Sequence, residues 1–219
     1  MNSRQALKKF RLMHIHVKKD PKELLQAQQW WEKLEIQWKM AFNEAVFKKG
    51  PTLEPPTDDE LMVFLIMVDT LRFAGPTAQY PNMSIQLTNL SGLKGLLRLK
   101  YLSITNMNLT SLKELSFHTN LQHLFVNNNK IVSLKGIENM VNLVDLYIQS
   151  NEITDLTPIK KLTQLKTVYA TENKLKTING FTDAHADVIE KFHVIPNKEL
   201  RDKEIIKFQN TYGIICHKG

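Results

Sequence analysis

Cysteine occurs once in these 219 residues, at position 216. A lone thiol cannot close an internal disulfide, so no cystine framework holds the chain together. Long apolar runs are missing as well. The longest, LMVFLIMV at 61–68, is far short of the roughly 18 residues that a membrane-spanning helix requires. Glycine is scarce, and no glycine cluster forms a loop that cradles phosphate. The chain has no G-x-S-x-G, no H-E-x-x-H and no paired cysteines, which removes the commonest hydrolase and zinc-site signatures. His14-x-His16 lacks the acidic companions of a metal site. Cys216 beside His217 is no nucleophile–base pair, because adjacent side chains rarely face each other. The chain is expected to be a non-enzyme, with no cofactor and no metal. Its basic start, MNSRQALKKFRLMHIHVKKD, has no apolar core of a secretory signal. With the single cysteine, that leads to an expected cytoplasmic location.

The net charge of +7 is unevenly spread. Residues 1–50 hold 11 Lys and Arg against 5 Asp and Glu, and the remainder hold 18 against 17. A nearly neutral body has no electrostatic footprint of a nucleic-acid groove, so no specific nucleic acid is expected as a partner. The basic segment 1–19 is a solvated tail or a tether to an anionic surface.

What the chain does have is a repeat. Leu102, Leu124, Leu146 and Val168 recur every 22 residues, followed two residues on by Ile104, Val126, Ile148 and Ala170. Leu109, Ile131, Ile153 and Leu175 form a third column, and Asn129, Asn151 and Asn173 a fourth, with Met107 in its first place. The alternation around Leu102 and Ile104 is that of a strand with one buried face. A single copy is too small to bury its own apolar side, so the copies must stack. Each chain turn after the strand leaves buried backbone groups unpaired. An Asn amide, with one acceptor oxygen and two donor hydrogens, can pair them. Past the turn, apolar residues recur at steps of three, as in Ile131, Leu134, Ile137 and Met140, which suits a 3₁₀ or irregular segment. Pro158 fits the same reading, because proline removes an amide donor.

These columns spell L-x-x-L-x-L-x-x-N-x-L and resemble the leucine-rich repeat family. The 22-residue length and short convex side look most like the internalin-type bacterial subclass, which also includes regulatory subunits of protein phosphatases. The resemblance implies an α/β fold: a right-handed solenoid with a concave parallel sheet and a short 3₁₀ or irregular convex side. Trp31-x-x-Leu34-x-x-x-Trp38-x-x-x-Phe42-x-x-Ala45 looks like a helical segment that precedes the repeats in some bacterial members, which implies an N-terminal cap and a bacterial origin. The family resemblance is nearly silent on function, because one fold serves many partners.

Both ends of such a stack need closing. Asp20-Pro21-Lys22-Glu23 is a helix start. From it Leu24, Ala27, Trp31, Leu34, Trp38, Phe42 and Ala45 form one apolar stripe, which predicts a single helix ending near Gly50. Thr57-Asp58-Asp59-Glu60 is a capping box that predicts a second helix over 61–73, with Gly75-Pro76 as its stop. Strict 22-residue columns fail after Ile178, where Asp187 and Glu190 occupy leucine places. The expected organisation is a basic segment at 1–19, an α-helical N-terminal cap at 20–82, repeats at 83–182 (a partial leading coil plus four full copies), and a mixed C-terminal cap at 183–219. The cap is expected to hold a last edge strand at 192–195 and a helix over 197–210.

The outward strand positions form the expected binding surface. Tyr101, His123 and Asp145 lie in one column, Phe125, Tyr147 and Tyr169 in the next, and Asn127 and Gln149 in the third. Aromatic anchors in a polar surround are typical of protein-binding patches. The expected function is a non-catalytic scaffold that binds a protein or peptide on this concave face. The alternative is an adaptor tethered to anionic lipid or nucleic acid by its basic N-terminal segment.

Overall fold

The structure, a computed structural model, describes residues 20–74 and 83–219. The basic segment 1–19, His14-x-His16 and the expected stop at Gly75-Pro76 lie outside the described residues.

Seven parallel strands form one sheet in chain order: β1 (Thr70–Arg72), β2 (Tyr101–Ser103), β3 (His123–Phe125), β4 (Asp145–Tyr147), β5 (Thr167–Tyr169), β6 (Lys191–Ile195) and β7 (Cys216–Lys218). The register is the sequence period itself. Leu102 pairs with Leu124, Leu124 with Leu146, and Leu146 with Val168. All four are fully buried, as are Ile104, Val126, Ile148 and Ala170. Burying each Leu, Ile or Val among them is worth about 1.5–3 kcal/mol relative to exposure. The convex side is built from 3₁₀ turns at Ser91–Leu93, Lys113–Leu115 and Thr157–Lys161.

The N-terminal helices differ from the expected pair. The first breaks into α1 (Pro21–Glu32) and α2 (Ile36–Phe42), and a π turn follows at Asn43–Phe47. The break lies at Glu35, whose carboxylate accepts from Asn89 Nδ2 at 2.9 Å and Ser91 Oγ at 2.7 Å on the leading coil. Those bonds, with one from Gln37, stabilise the carboxylate and hold its pKa below the usual carboxylate range. The capping box is present: Glu60 N donates to Thr57 Oγ1, and Thr57 N donates to the Glu60 carboxylate. Its helix α3 (Asp58–Met67), however, ends six residues early, and Thr70–Arg72 is a strand. Lys100 N and Tyr101 N both donate to Asp69 O, at 2.7 and 3.0 Å, and draw this segment into the sheet. A short apolar run is helix or strand by context, and sheet pairing decides it here. Trp38, Phe42 and Phe73 are fully buried and form a ring cluster at centroid distances of 5.2–5.7 Å.

At the other end the columns continue. Phe192 pairs with Val168, and Phe192 and Val194 are fully buried. The spacing has lengthened to 24, so a strict 22-residue register misses it. β6 is not the edge, because β7 pairs beyond it. The segment expected as one helix over 197–210 is a turn followed by α5 (Asp202–Tyr212), closed by Gly213 in the left-handed region. Before it, α4 (Asp183–Ala186) replaces a 3₁₀ turn.

Backbones of adjacent coils approach closely at Gly136. A Cβ built on Gly136 would lie 2.2 Å from Leu112 O, and its φ is +114°. Gly136→Ala therefore meets a backbone clash and a forbidden torsion together. The expected loss is about 2–4 kcal/mol, read as a lower urea midpoint than wild type.

Two buried histidines also tie coil to coil. His118 Nε2 donates to Leu93 O at 3.1 Å, and His185 Nε2 donates to Ile159 O at 3.3 Å. Thr182 N donates to the other ring nitrogen of His185 at 3.1 Å, so the ring must be neutral there. Burial pushes both imidazoles below their ordinary range. The unfolded chain thus takes up protons first, near pH 6.5. The stability they contribute is full above that pH and is lost as the pH falls below it. Urea midpoints should drop between about pH 7.5 and about pH 5. The drop should be smaller in a His118→Gln/His185→Gln variant, whatever its midpoint at neutral pH.

Candidate functional site

The strands carry six of the eight expected surface residues on their outward face. Tyr101, His123, Asp145 and Thr167 pair in sequence along one column. Ser103, Phe125, Tyr147 and Tyr169 pair along the next, which puts the three rings on successive strands. Asn127 and Gln149 follow their strands by two positions and are half-buried.

The ring column is longer than the sequence pattern indicates. Phe125 and Tyr147 stack at 4.5 Å, and Tyr147 and Tyr169 at 4.6 Å. Ser103 leaves room on β2, and Tyr101 leans across to stack on Phe125 at 5.1 Å. The guanidinium of Arg72 on β1 lies 4.3 Å over the Tyr101 ring. On β6, His193 stacks on Tyr169 at 4.1 Å and 7°, and His217 on β7 lies 5.3 Å from His193. One ladder of side chains thus crosses all seven strands.

Sequence reasoning missed Arg72, His193 and His217. Phe192-x-Val194-x-x-Asn197 repeats the spacing of Leu124-x-Val126-x-x-Asn129, a signal that could have found His193. Arg72 sits 31 residues before Ser103, so no period points to it.

Specific polar contacts set the electrostatics. His123 Nδ1 donates to Asp145 Oδ2 at 2.7 Å, both half-buried. His193 Nδ1 donates to Lys218 O at 2.7 Å, which fixes its ring against Tyr169. Burial first, then the neighbouring Tyr169, Asp145 and Tyr101, push the Tyr147 phenol above its ordinary range. Its hydroxyl is a standing donor at neutral pH. Gln149 Oε1 and Thr105 Oγ1 are buried with no hydrogen-bond partner. Cys216 and His217 point to opposite sides of β7. The thiol belongs to the inward column, and burial pushes it up to about 11.

Beneath this face runs the amide ladder. Asn151 Nδ2 donates to Val126 O and Ile148 O, each at 3.0 Å, and Asn151 Oδ1 accepts from Ile131 N at 3.0 Å. Asn129 and Asn173 repeat this with Leu109 N and Ile153 N, at 3.1 and 3.0 Å. Asn197, unforeseen from a 22-residue period, extends the row, accepting from Asn173 N at 2.9 Å. Each amide joins two coils and so sets how the strands, and the rings on them, are spaced. The fold is a leucine-rich repeat solenoid.

Comparison with known proteins agrees. The leucine-rich repeats (2 copies) family profile matches residues 119–161. Among solved structures, the chain is similar to an internalin, inlF, of Listeria monocytogenes, with 20% identity and a TM-score of 0.51 over 77% of this chain and 50% of that one. It is similar to a leucine-rich repeat protein of Leptospira interrogans, with 23% identity and a TM-score of 0.57 over 76% and 40% of the two chains. The functional domain of InlJ from Listeria monocytogenes aligns at 22% identity and a TM-score of 0.57 over 80% and 34%. That domain includes a cysteine ladder; this chain has one cysteine. The chain thus spans between 34% and 50% of the length of these structures, and the likeness is one of fold. No curated protein matches the chain. Among the described residues no helix is long and apolar enough to cross a membrane.

Asn151→Ala strips the Ile131 N–H of its acceptor in a buried turn, at a cost of about 1–3 kcal/mol. Asn128 has φ +55° and an exposed amide bonded to Asn106. Asn128→Gly keeps that torsion accessible and should stay within about 0.5 kcal/mol of wild type. Equal denaturation midpoints for the two variants would refute the amide's role.

Proposed function

We propose that this solenoid is a non-catalytic scaffold that binds a protein or peptide partner on its concave face. Phe125, Tyr147 and Tyr169 are the anchors. Tyr101, His123, Asn127, Asp145 and Gln149 flank them and supply hydrogen bonds. The observation that carries the reading is the unbroken ring column across the sheet, half-buried and bordered by polar side chains. Aromatic residues dominate the energetics of protein interfaces, and a polar rim around them gives register.

Stacked rings also stabilise a sheet without binding anything, by about 0.2–1 kcal/mol per pair. A partner's response separates the two roles. Quantitative affinity capture with the intact chain as bait should lose its specific partner at least about tenfold with Tyr147→Ala. The thermal midpoint of that variant should fall by only a few degrees, as expected for about 1 kcal/mol. A partner captured equally by both baits would move the binding site off the ladder.

A further inference from the structure

The way the rings stack restricts what the ladder can hold. A ring stacked on both neighbours has both π faces covered and offers solvent only its rim. Phe125 lies between Tyr101 and Tyr147, with interplanar angles of 27° and 24°. Tyr147 lies between Phe125 and Tyr169, at 24° and 12°. Tyr169 lies between Tyr147 and His193, at 12° and 7°. At the β1 end, Arg72 occupies the outer face of Tyr101. Recognition of a nucleobase or an organic cation needs an open ring face, and the central rings have none to give.

What remains is the rim, and the rim is the electropositive part of an aromatic ring. Several groups around it have the same sense. The Tyr147 hydroxyl is a donor. Arg72 lies at one end of the ladder, its Nε buried without a hydrogen-bond partner. Lys191, exposed on β6, lies toward the other end. Asp145 is the only acidic residue among the outward positions of the seven strands, and His123 already holds its carboxylate at 2.7 Å. The outward strand positions therefore carry ring rims and two cations, against one engaged carboxylate.

We propose that the concave face receives an acidic segment of its partner protein, with carboxylates set against the ring rims between Arg72 and Lys191. The inference rests on the concave-face reading above and adds the chemistry of the partner.

A display library of short random peptides, selected on the full chain, tests it. Binders are then measured against wild type, Tyr147→Ala and an Arg72→Gln/Lys191→Gln variant. The expected result is that peptides sensitive to Tyr147→Ala are enriched several-fold in Asp and Glu. They should lose at least about tenfold in affinity with the double variant and resist competition by oligothymidylate. Tyr147-sensitive peptides of neutral or basic composition would overturn the acidic preference and leave the concave face standing as the site. Displacement by oligothymidylate would overturn it too, by showing that any polyanion suffices. If no selected peptide depends on Tyr147, the concave-face reading itself fails.

Discussion

The structure depends on how a buried chain turn pairs its backbone. After β3, β4, β5 and β6 the polypeptide bends inside the protein, away from water, and its amides need partners there. An asparagine carboxamide meets both needs, donating to carbonyls of its own coil and the one before and accepting an amide of the preceding coil. Four such residues, Asn129, Asn151, Asn173 and Asn197, form a continuous row. Because each bridges two coils, the row is the hinge on which stacking is organised. The distance from strand to asparagine is therefore invariant, while the convex return is free to lengthen. That freedom is seen where the period changes from 22 to 24 between Val168 and Phe192 without loss of register.

The same constraint produces the surface. Parallel strands held in register bring equivalent outward residues to about 4.8 Å of one another, close to the thickness of stacked rings. Side chains chosen for a strand's outer face become a column whether or not they bind anything. Here the column is aromatic for most of its length, closed by a guanidinium at one end and continued by imidazoles at the other. Spacing that suits ring on ring also covers the ring faces, so a device that stabilises the sheet limits the chemistry the sheet can present.

Much of this was legible in the residues. The strands at Leu102, Leu124, Leu146 and Val168, their register and the amide row over three coils follow from a period that only stacking can satisfy. So does the meeting of Phe125, Tyr147 and Tyr169, since side-chain alternation places them on one face. The errors share a cause. The 61–73 run read as one helix because its apolar residues suit helix or buried strand equally, and β2 supplied the partner that pulled Thr70–Arg72 into the sheet. The single long N-terminal helix breaks at Glu35 because its carboxylate found Asn89 and Ser91 more than fifty residues away. Neither contact leaves a local mark.

By itself, then, the sequence determined the repeating unit: which side chains are buried, where each coil bends, and that the coils stack. These are short-range matters, decided by alternation, by hydrogen-bonding capacity and by the need to bury an apolar face that one copy cannot bury alone. Only the tertiary structure decided where the stack begins and ends, and therefore what the ladder contains. Arg72 over Tyr101 and His193 against Tyr169 exist because segments outside the strict period add their own strands to the sheet. Sheet edges accept any strand that can pair, and pairing across many residues is a property of the folded chain, not of the spacing within it.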